Sequence, residues 1–527
     1  MSANGIRYAF VLIALSLAAL AAADLRSDLS GAGIRALVPG DDGYATASSA
    51  NNRRFNFSPA AIAYPNTADD VSKIVTIGAA NGVSVVARSS GHSFIANGLG
   101  GRDGALVIDM SNMTEISVDE SSGIAIIKTG NILGNVAIGL NGNGRALPHG
   151  ICPYVGIGGH SGAFSARMAL ILSVDSYLLS NLSAFGGWGF TSRMWGLTLD
   201  TIKAVNTVLS NGTIAHVTTD NYPDLFWAIR GSAPSFGITT SIEVETMPAP
   251  QHATIYAYSW NLTPQAAGRA FVDFQSFVLN TADLPPQLGS TLNLRRGNVS
   301  GEVTFSLGGG WYAEPERLDG VLKPFIDKLP VSVSQIRQGN GTWIDSVDAV
   351  ARLTGSSLES LANMPSPQEL FYSKSLMTPE GAPVTLEAAV ALMEYLSNEG
   401  FQSNFDWTID LLLFGGRNSM VNAVNPESTS FVRRDTLFTW DIHAVASNDS
   451  TFFPEDSFTF VDGVYNTVVQ SMPSDWNYSA YINYIDDRLE DWQQRYYGGH
   501  YNRLQSIKQD MDPRDVFAFP TSIEELT

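Results

Sequence analysis

The amino-acid sequence predicts an α+β protein of two domains, and three observations carry that expectation. From Asn56 to about Pro248, short β-branched runs alternate with Gly-rich turns, as in Val83–Ala87, Ala105–Asp109 and Ile124–Lys128. Just ahead of them, Ala68 to Asn81 spaces Val71, Ile74, Val75 and Ile77 at helical intervals. Pro248, Ala249 and Pro250 then punctuate the chain, and Thr254 to about Phe460 mixes longer strands with helices such as Pro264–Leu279 and Leu386–Ser397. Of 527 residues, 44% are hydrophobic and 16% charged, which excludes disordered, collagen-like and coiled-coil chains.

Taken in order, the chain opens with Arg7, an apolar stretch from Tyr8 to Leu20, and Ala21-Ala22-Ala23. This is the pattern of a cleaved secretory signal over residues 1–23. Its apolar core is shorter than the ~20 residues a membrane span needs, so the mature protein is expected outside the cell and off the membrane. Asn-X-Ser/Thr triplets begin at Asn56, Asn112, Asn181, Asn211, Asn261, Asn298, Asn340, Asn448 and Asn477, which fits a secreted glycoprotein. Residues 24–250 read as the first domain, 251–465 as the second and 466–527 as a C-terminal segment. With 31 Lys+Arg against 51 Asp+Glu the net charge is −20, and such a surface repels phosphate backbones, so nucleic acid is excluded as a partner. Seven scattered His and one Cys give no metal-ligand spacing, so no metal is expected. A monomer is expected.

Two motifs carry chemistry. Arg88-Ser89-Ser90-Gly91-His92-Ser93 follows the strand Val83–Ala87, and small residues there let backbone N–H groups close around a phosphate. His92 inside that turn is placed to meet a cofactor, although a lone His is more often structural. Pro148 to His160 holds the single Cys152, either a buried bystander or a reactive thiol, followed by Tyr154, Val155, Gly156, Gly158, Gly159 and His160. Its glycine spacing does not match a dinucleotide fingerprint, which excludes a nicotinamide-binding Rossmann site.

Together the two motifs resemble those of the secreted FAD-linked oxidases of the berberine-bridge-enzyme-like type, within the vanillyl-alcohol oxidase superfamily. The resemblance continues through Gly189-Phe190-Thr191-Ser192-Arg193, Ser235-Phe236-Gly237-Ile238, Tyr481-Ile482-Asn483-Tyr484 and Tyr496-Tyr497-Gly498, and is nearest to the fungal gluco- and chito-oligosaccharide oxidases. It implies an FAD-binding domain of the PCMH type, an antiparallel-sheet substrate domain with covering helices, and a C-terminal segment returning to the FAD domain. It implies FAD held bicovalently, with His92 joined to the 8α-methyl and Cys152 to C6. Arg88, Ser89, Ser90, Gly91, Ser93, Val155, Gly156, Gly158, Gly159, His160, Gly189, Ile238, Tyr481 and Asn483 join them as cofactor-binding residues by the same resemblance. Val155 favours oxygen as the acceptor. Two departures are His500 and Ser235, each where the family has Asn.

The implied reaction oxidises a sugar at its anomeric carbon to the lactone, with O2 reduced to H2O2. A base must take the C1 hydroxyl proton while C1 gives hydride to flavin N5. Tyr484 is the candidate base by resemblance, and since a free phenol has a pKa of ~10, the site is expected to lower it. Asp410 is the candidate partner carboxylate: the family's Asp position holds Leu412 here, and residues 410 and 412 share a strand face. Phe94, Trp407 and Trp440 are candidate stacking surfaces for sugar rings, with core packing the rival explanation for each. A berberine-bridge-like oxidase of a secondary metabolite is the alternative enzyme, and a flavin-free secreted binding protein the alternative outside enzymes.

Residues 163–184 interrupt the resemblance. Without them, Gly159-His160-Ser161-Gly162 would run directly into Phe185-Gly186-Gly187-Trp188-Gly189. A long insertion with the apolar run Met168–Val174 is foreign to a cofactor turn that needs small residues. The segment is expected to be a retained intron, with a genuine surface loop the alternative: its length keeps the reading frame, and its flanking residues permit donor, branch and acceptor sequences.

Overall fold

The computed structural model describes residues 25–148, 150, 152–162, 187–353, 358, 368–447 and 450–526. The signal segment and the suspected insertion at 163–184 lie outside the described residues.

The first domain is built on two sheets. Strands β1 (Arg35–Leu37), β2 (Ala61–Tyr64), β3 (Val85–Arg88) and β4 (Leu106–Asp109) form one, in the order β1-β2-β4-β3, with β2 and β3 both parallel to β4. Helix α1 (Ala68–Ala80) connects β2 to β3 and buries Val71, Ile74 and Val75 under this sheet. Its start is fixed by a capping box, with Asp70 N donating to Thr67 Oγ1 at 3.1 Å and Thr67 N donating to Asp70 Oδ2 at 3.2 Å. Strands β5 (Ile116–Val118), β6 (Ile124–Lys128), β7 (Ile202–Val208), β8 (Ile214–Val217) and β9 (Ile238–Glu245) form an antiparallel sheet in the order β5-β6-β9-β7-β8. Short helix α2 (Ile157–Gly162) forms the C-terminal part of the second Gly-rich turn, Gly158 and Gly159 included.

The second domain is a seven-stranded antiparallel sheet. Its strands are β10 (Ala253–Leu262), β11 (Leu288–Arg296), β12 (Val303–Trp311), β13 (Ser334–Gly341), β14 (Phe371–Pro379), β15 (Asp406–Leu413) and β16 (Thr436–Val445), in the order β13-β10-β12-β11-β15-β16-β14. Helices α3 (Pro264–Asn280), α4 (Leu386–Tyr395) and α5 (Glu455–Gln470) bring their apolar stripes to one face. A Cβ at Gly268 would sit 2.7 Å from Val390 Cγ2, so glycine lets α3 and α4 approach closely there.

Strand alternation assigns the two faces of this sheet different tasks. On β16, Phe438, Trp440, Ile442 and Ala444 enter the helix-covered core, while Thr439, Asp441 and His443 take the other face. On β15 the split is Trp407, Ile409, Leu411 and Leu413 against Thr408, Asp410 and Leu412. Trp407 and Trp440 are therefore core residues and not sugar platforms; truncating Trp440 to Ala would cost about 3–5 kcal/mol. The second face packs on the first domain, where Phe371, Met377, Leu412 and Phe414 join a core with Phe94, Val155 and Trp188.

The chain ends by returning to the first domain. Met377 and Ser479 bridge β14 to this segment, Val85 N donates to Val516 O at 2.8 Å, and α6 (Tyr501–Met511) leads to a buried Lys508–Asp512 ion pair at 2.7 Å.

Candidate active site

The first Gly-rich turn leaves β3 and is pinned at both ends. Arg88 Nε donates to Asp109 Oδ2 at 2.8 Å, and Ser89 Oγ donates to Thr129 O at 2.5 Å. Gly91 adopts φ 82°, a conformation that favours glycine. Ser93 Oγ accepts from Asn97 N at 3.0 Å. The second turn packs against the first so closely that a Cβ at Gly156 would lie 2.1 Å from Ser89 Oγ. Only glycine fits.

Between these turns lies a cleft lined by Arg88, Ser89, Ser90, Gly91, His92 and Ser93 from the first turn, and by Gly156, Gly158 and Gly159 from the second. Pro234, Ile238 and Thr239 close one wall, and Phe519 of the return segment another. Burial pushes the His92 imidazole down to about 4, so it is neutral at neutral pH, with its Nδ1 3.0 Å from Ser90 Oγ. Cys152 is buried at the head of the second turn, and Val155 forms core beneath it, its carbonyl accepting from Leu133 N at 2.8 Å.

His160 and Gly189 do not line the cleft. His160 Nε2 accepts from Gly150 N at 3.1 Å and lies 3.2 Å from Thr198 Oγ1, and Gly189 N donates to Ser192 Oγ at 2.9 Å; both support the turns from behind. Ser235 Oγ accepts from Ile523 N at 3.0 Å, and His500 Nε2 lies 3.2 Å from Glu427 Oε1, so both departures from the family pattern are absorbed by local contacts.

Tyr484 stands on the return segment, fully buried, with its ring stacked on Phe94 at 5.8 Å and met edge-on by Tyr481 at 5.4 Å. Its phenol is raised well above the usual range, first by burial and then by Asp441, Tyr481 and Asp410. The expected lowering is thus not supplied by these neighbours: a dry pocket and two carboxylates disfavour the phenolate. Tyr484 rests neutral.

Asp410 does reach the same region. Its Oδ1 accepts from Asn293 Nδ2 at 2.6 Å, and it pairs directly with Asp441 across β15 and β16. Sequence reasoning missed Asp441, His443, Asn293 and Ser373. The available signal was polar residues at alternate positions in otherwise apolar strands, such as Asp441 and His443 in β16.

Several buried polar atoms have no protein partner among the described residues: Tyr481 Oη, both side-chain polar atoms of Asn483, and Thr239 Oγ1 at the cleft wall. Burying such groups unpaired costs free energy that a polar ligand would recover. A cleft lined by glycine turns with polar atoms along and beyond it suits a long cofactor carrying phosphates at one end and a polar ring system at the other.

The comparisons agree. The FAD binding domain family matches residues 59–170, and the berberine and berberine-like family matches residues 480–524. The chain is 31% identical to the glucooligosaccharide oxidase of Sarocladium strictum, over 92% of this chain and 91% of that protein, and 32% identical to the carbohydrate oxidase of Microdochium nivale, over 94% of each. Among solved structures, a glucooligosaccharide oxidase from Acremonium strictum, with a 6-S-cysteinyl, 8α-N1-histidyl FAD, superposes with a TM-score of 0.83 at 28% identity, covering 96% of this chain and 100% of that one. With two matching family segments, relatives covered over nine-tenths of their length and a glycine-lined cleft with the unpaired Thr239 hydroxyl on its wall, the chain belongs to the berberine-bridge-like family of FAD-linked oxidoreductases.

Proposed function

We propose that the protein oxidises the anomeric hydroxyl of oligosaccharides to lactones with reduction of O2 to H2O2, outside the cell, using FAD tethered to His92 and Cys152. The observation that supports it best is the stacking of Tyr484 on Phe94, two residues beyond His92. It brings the proton-handling residue to the turn that would hold the flavin. Neutral His92 keeps the lone pair that bonding to carbon requires, and Ser90 orients its ring. The flavin, when bound, supplies the two-electron oxidation.

The chain's own residues handle the proton. Tyr484, neutral at rest, accepts the substrate's hydroxyl proton while passing its own toward the neighbouring carboxyl groups, so its high phenol pKa does not obstruct the step. Tyr481 and Asn483 offer polar atoms to flavin or sugar. Named relatives acting on gluco-, chito- and xylo-oligosaccharides support the substrate class. Asn56, Asn112, Asn211, Asn298 and Asn477 are exposed, as glycan acceptors of a secreted protein must be.

The test is peroxide release from purified protein supplied with cello-, chito- and xylo-oligosaccharides and, in parallel, with non-sugar alcohols. Peroxide and lactone from at least one oligosaccharide series are expected. Turnover of non-sugar alcohols alone would overturn the assignment.

A further inference from the structure

Asp410 and Asp441 face each other directly across β15 and β16, and both side chains are fully buried. Direct neighbours in an antiparallel pair hold their Cβ atoms about 4.5–5.5 Å apart. Two carboxyl groups that close in a dry interior do not both ionise; one keeps its proton. The protein binds each from outside the pair: Asn293 Nδ2 donates to Asp410 Oδ1 at 2.6 Å, and Ser373 Oγ donates to Asp441 Oδ1.

The charged and titratable groups around them come from β11, β15, β16 and the return segment. Half-buried Arg295 on β11 interacts with Asp410 and with Asp406 at the start of β15. On β16, His443 Nδ1 lies 3.9 Å from Asp441 Oδ1, its ring packed 4.9 Å from Phe371 and 6.4 Å from Phe94. From the return segment come Tyr481 and Tyr484; Tyr484 stacks on Phe94, the same ring that meets His443 beside Asp441, and both carboxyl groups raise the Tyr484 phenol.

We propose that Asp410 and Asp441 form a one-proton carboxyl pair, and that this pair is the final acceptor of the proton that Tyr484 draws from the substrate hydroxyl. The proposal rests on Tyr484 meeting that hydroxyl. Both carboxyl groups are then positioning residues, each acting through Tyr484. In the step, the substrate O–H bond breaks and its proton goes to Tyr484 Oη, while the Tyr484 proton moves to the pair. C1 would lose its hydrogen together with the bonding electron pair, as hydride, to bound FAD as oxidant, C1=O forms, and the pair goes from one proton to two, releasing one to solvent before the next turnover.

The pairing itself is read without substrate. Infrared spectra of the holoenzyme at neutral pH should show the C=O stretch of a protonated buried carboxyl group, shifted in D2O and absent from both Asp410→Asn and Asp441→Asn. The proton-accepting role is read by stopped-flow flavin reduction with the best oligosaccharide. Because either carboxylate alone still accepts one proton, each single Asn variant should lose less than tenfold, whereas the double variant, with flavin content and circular dichroism intact, should lose 10²-fold or more. Absence of the carboxyl band in the unmutated enzyme overturns the pair. A full loss in Asp410→Asn alone, or a double variant equal to the product of the singles, overturns the shared acceptor. Tyr484→Phe separates the two readings: unchanged flavin reduction there would remove Tyr484 as the relay, while the infrared band would still report the pair.

Discussion

Phe94 and Tyr484 lie ring on ring, 5.8 Å between centroids and 8° from parallel, although one follows the first Gly-rich turn and the other belongs to the return segment. The contact aligns Tyr484, the proposed proton relay, with the turn that carries His92. Tyr484→Phe keeps the ring and its stacking but removes the hydroxyl. It is expected to retain flavin and lower sugar-dependent flavin reduction by ~10² or more, measured by stopped flow.

Tethering has its own signature. In acid-precipitated protein, flavin is expected to stay with the polypeptide, to remain in His92→Ala and in Cys152→Ala, and to appear in the supernatant only for the double variant. Free flavin from the unmutated protein would refute the double link.

Burial of His92 also makes stability depend on pH. Its imidazole titrates at about 4 in the folded flavin-free protein and ~6.5 in an unfolded chain, so the unfolded state binds more protons between these values. Stability contributed by the neutral ring is fully present above pH ~6.5 and declines as pH falls toward 4, by about 3 kcal/mol in all. Denaturant titrations of flavin-free protein across this window should show the decline, and His92→Phe should lack that component.

Arg434 joins the two domains through a bidentate pair, with Nη1 2.9 Å from Asp200 Oδ2 and Nη2 2.7 Å from Oδ1. Both side chains are buried, at 1% and 9% exposure, so removing one leaves the other charge uncompensated. Arg434→Ala is expected to cost about 3–5 kcal/mol in chemical denaturation, and the double change Arg434→Met with Asp200→Asn markedly less.

Residues 163–184 call for a test on the transcript. His160 Nε2 and Gly187 O lie 3.2 and 3.0 Å from the same Thr198 hydroxyl, so the chain on either side of the segment converges and a short connection would serve. A spliced message lacking these codons is expected. Protein expressed without the segment should load more flavin than protein with it; peptides from Met168 to Ser183 in secreted, flavin-loaded protein would refute the intron.

Much of this was legible in the residues. The two Gly-rich turns announce themselves because close backbone approach admits few residue types, and α1 because Val71, Ile74 and Val75 repeat at helical spacing. Tyr484 was legible only through its resemblance to a known motif. The pairing of Asp410 with Asp441 was not legible, since register between β15 and β16 is set by which face each strand buries against α3, α4 and α5. The upward push on the Tyr484 phenol was hidden for the same reason: the carboxyl groups responsible come from a sheet whose register the local sequence does not state.

The return segment has a consequence for the order in which the protein is made. Phe519 walls the cleft, Val516 O holds the N-terminal end of β3, and Tyr484 lies in the final stretch of chain. A ribosome that has delivered both Gly-rich turns has still not delivered Phe519 at the cleft wall or the Tyr484 phenol. The cleft is therefore completed only late in synthesis, and a chain truncated before Val516, although it keeps His92, Cys152 and Tyr484, would lack the Phe519 wall and the Val85–Val516 hydrogen bond.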